Sequence, residues 1–206
     1  MISLALTKGR IETEALALLR AAGYPLTEME NKGRKLIFED GRLSIVLAKA
    51  PDVITYVERG VCDAGVVGRD TIMEHASDLY ESLDLGFGKC SFALAGTDKN
   101  FFDGYAHKVI ATKYPKVAKD YFSSLDMDIE IVKIEGSVEL APLLGLADAI
   151  VDIVETGATL RENGLFVLRE IVPVSARLVL NSAARKLKKQ ELDDFIGNLK
   201  KALEIL

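Results

Sequence analysis

Ala149-Ile150-Val151-Asp152-Ile153-Val154-Glu155-Thr156-Gly157-Ala158-Thr159-Leu160 compresses a strand, a turn and a helix start into twelve residues. The run 149–154 is apolar except for Asp152, as expected of a buried strand. Small and hydroxylated residues follow, and a short helix is predicted over 159–163. Backbone N–H groups at a helix start lack partners and suit a cluster of anionic oxygens. Gly157 and Ala158 allow a ligand close, and Thr156 and Thr159 add hydroxyls. Thr-Gly-Ala-Thr alone fits an ordinary turn with Thr caps equally well. The acids Asp152 and Glu155 narrow the ligand, because a carboxylate 4 Å from a phosphate charge costs roughly 4 kcal/mol at an effective dielectric near 20. A phosphorylated ribose reconciles the two chemistries: backbone toward the phosphate, acid toward the hydroxyls or a bridging Mg²⁺. Either acid can instead be a plain exposed carboxylate, Glu155 above all.

Outward from that loop, strands and helices alternate. Residues 2–6 read as a short buried strand ended by Thr7-Lys8-Gly9-Arg10. Ile11, Ala15, Leu18, Leu19 and Ala22 then recur at helical spacing until Gly23 and Pro25. Asp40-Gly41 predicts a hairpin turn between 35–38 and 43–47. Asp52 is expected to cap a helix carrying Val53, Tyr56 and Val57, closed by Gly60. Residues 64–67 form a strand followed by a helix start at Gly68-Arg69-Asp70, and 91–95 is strand-like. Helices are expected over 114–125 and 137–144, and extended segments at 129–134, 165–172 and 177–180. The tail 190–206 places Leu192, Ile196, Leu199 and Leu203 on one face, which marks a packed terminal helix. The class is therefore α/β. The polar loop 96–108 marks a crossing between lobes, with a return near Arg177. This gives lobe I as 1–94 plus 178–206 and lobe II as 95–177.

The chain has 206 residues, 49% hydrophobic and 28% charged, an ordinary globular balance. Its net charge of −5 argues against broad nucleic-acid or acidic-membrane binding. Anionic small molecules remain open to a few placed Lys, Arg and N–H groups. Cys62 and Cys90 follow no metal or redox pattern and are expected as reduced, mostly buried thiols. No apolar run approaches a membrane span, and residues 1–8 have the wrong order for a signal peptide, so a cytoplasmic protein is expected. His75 and His107 have no partner pattern and receive no catalytic role.

The run Glu139-Leu-Ala-Pro-Leu-Leu-Gly145-Leu-Ala147-Asp-Ala-Ile150-Val-Asp152-Ile153-Val-Glu155-Thr156-Gly157-Ala158-Thr159-Leu160 resembles the signature of ATP phosphoribosyltransferase. Gly136-Ser137-Val138-Glu139 is also typical of that family, and the resemblance covers essentially the whole chain. Lys8-Gly9-Arg10, Asp52 with Thr55-Tyr56-Val57, the segment 65–70 and Gly86-Phe87-Gly88-Lys89-Cys90 all look like family segments. Thr7, Ala50 and Ile54 depart from it by standing where prolines are usual, which puts local loop stiffness in doubt.

The resemblance implies a two-lobed fold like type II periplasmic binding proteins, with a cleft between lobes. It implies ATP on the lobe I side and phosphoribosyl pyrophosphate at the lobe II loop. The implied reaction joins N1 of the adenine of ATP to C1 of that ribose and releases pyrophosphate. Consistent with this, no Gly-x-x-x-x-Gly-Lys-Ser/Thr loop is present to cleave ATP. By the resemblance, residues 156–159 (Thr156, Gly157, Ala158, Thr159) hold the 5′-phosphate. Asp152, with Glu139, addresses the ribose, and Glu139 is the candidate catalytic group. Glu155 belongs to the loop without a defined role. Lys8, Gly9, Arg10, Lys49 and Arg69 are the candidates facing polyphosphate, although each cation can also be a solvated surface charge. Mg²⁺ is expected to arrive on the substrate rather than in a protein cage. The chain looks like the short form, implying a separate regulatory subunit resembling histidyl-tRNA synthetase and a homodimer within a hetero-oligomer. Two other classes stand beside it: a small-ligand sensor or solute-binding module, against which the absence of a signal-peptide pattern and the long motif speak, and a nucleotide-dependent oxidoreductase, for which no Gly-x-Gly-x-x-Gly turn follows a strand.

Overall fold

The computed structural model describes residues 1–29, 32–103 and 107–205. It divides into two α/β units, Met1–Gly88 with Ser175–Leu206, and Lys89–Val174. Residues 104–106 of the expected crossing loop, and Leu206 of the expected tail helix, lie outside the described residues.

The first unit opens with β1 (Ile2–Thr7), α1 (Arg10–Ala21), and the hairpin β2 (Ile37–Asp40) and β3 (Leu43–Ala48). Gly41 takes the positive φ of 61° that the hairpin turn requires. There follow α2 (Ala50–Glu58), β4 (Ala64–Gly68), α3 (Arg69–His75) and β5 (Tyr80–Asp84). Lys49, not Asp52, caps α2: Pro51 must sit in a first turn, which draws Asp52 inside the helix.

The second unit contains β6 (Cys90–Gly96), β7 (Lys108–Thr112), α4 (Pro115–Ser123) and β8 (Ile129–Lys133). It continues with α5 (Leu140–Leu143), β9 (Ala149–Val154), α6 (Ala158–Glu162) and β10 (Phe166–Val174). Its sheet order is β10-β6-β9-β7-β8, with β9 parallel to β7 and antiparallel to β6. Ala95, Ala111 and Ile150 meet Val138, Ala141, Leu160 and Leu165 in one buried cluster. Asp152 is two residues beyond Ile150, so the period-2 alternation of a strand sends its side chain to the same face at the strand's end.

The chain then returns as β11 (Ala176–Leu180), α7 (Ala184–Leu187) and α8 (Lys189–Leu203). The first sheet has the order β2-β3-β1-β4-β11-β5, in which β3, β1 and β4 run parallel. β1 is buried almost throughout because both faces are covered. Leu4 and Leu6 join α1 and α8 residues such as Leu18, Phe195 and Leu199, while Ala5 joins Val53 and Val57 of α2. On α8 the buried positions are Leu192, Phe195, Leu199 and Ala202, with Ile196 and Leu203 partly buried beside them.

The exchanges between units fall at 88/89 and 174/175, against 94/95 and 177/178 in the sequence reading. Strand pairing sets them: Ser91 to Gly96 of β6 pair with β9 and Cys90 with Val174 of β10 in the second sheet, and all of β11 pairs with β4 in the first. Cys62 and Cys90 are free thiols, the first fully buried and the second half-buried. Burial, and secondarily the Asp63 charge, push the Cys62 thiol up to about 11.

Candidate functional site

In the second unit β9 ends at Val154, and the chain turns through Glu155, Thr156 and Gly157 into α6. Gly157 caps this helix at φ 69°, a left-handed conformation that side chains with a Cβ rarely adopt. The turn is tied internally. The Ala158 N–H donates to Thr156 Oγ1 at 3.3 Å, and Arg161 Nη1 donates to the Thr156 carbonyl at 3.0 Å. The Thr159 and Leu160 N–H groups donate to no acceptor among the described residues.

A cavity of about 230 Å³ lies against this turn, lined by Glu139, Asp152 and all of Glu155 to Leu160. Glu139 reaches it because it caps α5, whose Ala141 packs in the same cluster as Ile150 and Leu160. All seven residues expected at the phosphoribosyl group thus share one depression, which combines hydroxyls, N–H groups and carboxylates. Such a rim can hold an esterified phosphate next to a diol.

In the first unit Lys8, Gly9 and Arg10 follow β1, Lys49 follows β3, and Arg69 follows β4. These three strands are adjacent and parallel, with Thr7 opposite Ala48 and Leu6 opposite Val66. The topology therefore gathers residues from three sequence segments at the carboxyl edge of one sheet, where open α/β sheets bind ligands. Thr7 locks this edge by donating its buried hydroxyl to the Val66 carbonyl at 2.9 Å.

The five residues differ in what they can offer. The Gly9 N–H is already engaged by Glu12 at 3.3 Å, and Arg10 lies 4.0 Å from Glu14. Arg69 Nε stands 3.6 Å from Glu81, which also binds Arg177 at 3.2 Å. Lys8 and Lys49 are exposed and form no ion pair among the described residues.

Two groups had escaped the sequence reading. Arg161 shapes the cradle through the Thr156 carbonyl; its place four residues after a glycine cap was the available signal. Arg177 binds Glu81 and Asp84, while Ser175 Oγ donates to Asp84 at 2.8 Å. That network backs Arg69 from the returning strand, and no local spacing reveals it. His75 and His107 do not line the cradle.

The family model described as HisG, ATP phosphoribosyltransferase, matches residues 49–201. An ATP phosphoribosyltransferase from Clostridium kluyveri is 59% identical over 201 residues, covering 96% of this chain and 92% of the relative. One from Clostridium acetobutylicum is 52% identical over 206 residues, covering 98% and 96%. Among solved structures, the ATP phosphoribosyl transferase (HisG:HisZ) complex from Thermotoga maritima matches with a TM-score of 0.85 at 32% identity, covering all of both chains. The periplasmic aliphatic sulphonate binding protein SsuA from Escherichia coli matches at TM-score 0.62 and 14% identity, covering 98% of this chain and 72% of SsuA, and shows the shared fold alone. The fold is thus the expected two-unit α/β type of periplasmic binding proteins, and the chain belongs to the ATP phosphoribosyltransferase family, the enzymes of the first step of histidine biosynthesis.

Proposed function

We infer that this chain performs its family's reaction with the β9–α6 cradle as the seat of the phosphoribosyl group. The reaction transfers that group from phosphoribosyl pyrophosphate to N1 of ATP, giving phosphoribosyl-ATP and pyrophosphate. One observation carries the residue-level reading: three acids and a hydroxyl-rich turn with open N–H groups line a single cavity.

The N1 lone pair forms the new bond to C1 as the C1–oxygen bond to pyrophosphate breaks. A neutral ring nitrogen needs no prior deprotonation, so rate comes from alignment and from stabilising the departing anion. Thr156, Gly157, Ala158 and Thr159 anchor the 5′-phosphate. Asp152 and Glu139 address the ribose hydroxyls; Glu155 lines the rim without a separate role. In the first unit, Lys8 and Lys49 have uncommitted charges to offer polyphosphate, with Arg10, Arg69 and the Gly9 backbone beside them. Mg²⁺ would arrive on pyrophosphate, with the rim carboxylates of Asp152 and Glu139 available to hold it together with the substrate phosphates. When bound it would neutralise charge on the leaving group.

The Thermotoga maritima relative is a HisG:HisZ complex, which supports a separate regulatory subunit for this chain. We place the chain as a homodimer within such a hetero-oligomer, in the cytoplasm. Among the described residues no helix is long and apolar enough to cross a membrane. Mixing ATP, phosphoribosyl pyrophosphate and Mg²⁺ should raise the absorbance of N1-ribosylated adenine. No turnover, with or without the regulatory subunit, overturns the reading.

A further inference from the structure

At the amino edge of the first sheet, opposite the Lys8, Lys49 and Arg69 edge, lies a second depression of about 450 Å³. Tyr80, which pairs with Leu180 at the end of β11, forms one wall. Ser182, Arg185, Lys186, Lys189 and Asp193 form the rest. Arg185, Lys186 and Lys189 make no ion pair among the described residues. Three cations against one carboxylate leave this rim with a surplus of two positive charges, on a chain whose net charge is −5. Like charges on one rim repel, and an anion relieves that repulsion.

The rim is held in place rather than loosely draped. The Arg185 guanidinium lies 3.7 Å from the Tyr80 ring centroid, a stacking that fixes its plane and leaves its edge donors for a ligand. Asn181 Oδ1 accepts the Ala183 and Ala184 N–H groups at 3.0 and 2.8 Å, while its Nδ2 donates to the Val57 carbonyl at 2.8 Å. Lys188 Nζ, between the outward-facing cations, is anchored on Asp63 at 2.8 Å. Buried contacts thus fix the α7–α8 corner from below, and the three remaining cations project from it.

We propose that this corner is a second binding site, for a small polyphosphate: free pyrophosphate or the triphosphate tail of a nucleotide. A planar guanidinium and two ammonium groups suit two or more adjacent phosphoryl groups. The volume suits a small molecule, since ligand pockets run from about 300 to 1,000 Å³. Pyrophosphate and ATP are product and substrate of the proposed reaction, so occupancy here would report on its progress from the far edge of the sheet. The site itself does not depend on that reaction.

Calorimetric titration of the full-length chain with inorganic pyrophosphate tests this, with ATP as a parallel arm. The expected result is two classes of site per chain. In R185Q/K189Q one class weakens at least tenfold, while turnover stays within twofold and thermal melting is unchanged. R185K, which keeps charge and fold but loses the planar fork, should show a smaller loss. Filling of the second site by ATP assigns it to the nucleotide tail, and filling by pyrophosphate alone assigns it to the free anion. An isotherm in R185Q/K189Q unchanged from that of the unaltered chain, whether that chain shows one class of site or two, overturns the proposal. Leu187 stands 85% exposed at the same corner. If R185Q/K189Q retains both sites but no longer co-elutes with the regulatory subunit, the corner is a protein interface and the proposal fails. Turnover is read on the same samples, so failure of the reaction and failure of this site are separate results.

Discussion

Asp152 and Thr159 line one cavity, the first with a carboxylate and the second with a hydroxyl. Asp152→Asn keeps the shape and removes the charge, so it should impair ribose recognition. The expected outcome is a rise of about tenfold or more in the KM for phosphoribosyl pyrophosphate, the scale of a lost charge-assisted hydrogen bond. Unchanged kinetics for that substrate would return Asp152 to a structural role. Thr159→Ala removes a hydroxyl from the phosphate side and should weaken phosphoribosyl pyrophosphate several-fold, about 1 kcal/mol, while ATP binding barely moves. Equal losses for both substrates in titrations would count against the assignment. These residues were legible because the cradle is contiguous in sequence. The Arg161 bond to the Thr156 carbonyl was not, because it exists only once Gly157 turns the backbone left-handed.

Among the elements, α2 packs on β4 with no room to spare at Gly65. A Cβ built on Gly65 would lie 2.8 Å from methyl groups of both Val53 and Val57. Gly65→Ala should therefore cost about 1–3 kcal/mol through overpacking, read as a lower midpoint in urea unfolding. A midpoint unchanged from that of the parent chain would show that the helix shifts away freely. β1, buried on both faces, and β9, buried on both over its first half, were readable from their apolar runs. β5 was not, because Tyr80-Glu81-Ser82-Leu83-Asp84 is a polar edge strand whose place depends on the returning β11. β7 was hidden for a different reason: its apolar centre is only Val109-Ile110-Ala111, adjoining a loop read as a crossing. The cationic edge of the first sheet lies between these cases. Its residues could be named singly, but only the β3-β1-β4 order brings them together.

Over the whole molecule, distant parts of the sequence are joined by Asp63, which accepts hydrogen bonds from Ser3 and Lys188. Burial alone would raise its carboxyl, but the bonds from Lys188 and Ser3 outweigh it, and the group stays below the ordinary carboxylate range. A depressed folded-state value means the stabilisation is present above the unfolded value, near about 4, and is lost as pH falls through the folded one. Asp63→Asn should thus destabilise the chain by about 2 kcal/mol at pH 7. In denaturant titrations the gap from the parent chain should narrow below about pH 4; a gap independent of pH would sink the linkage. The same joining of distant segments has a consequence during synthesis. β11 lies between β4 and β5, and α8 supplies Phe195 and Leu199 to the first unit's core, whereas the second unit is complete in sequence by Val174. A ribosome reading from the amino terminus therefore releases the inserted unit whole while the unit begun first still lacks an interior strand. The part of the protein started earliest is the last able to finish folding.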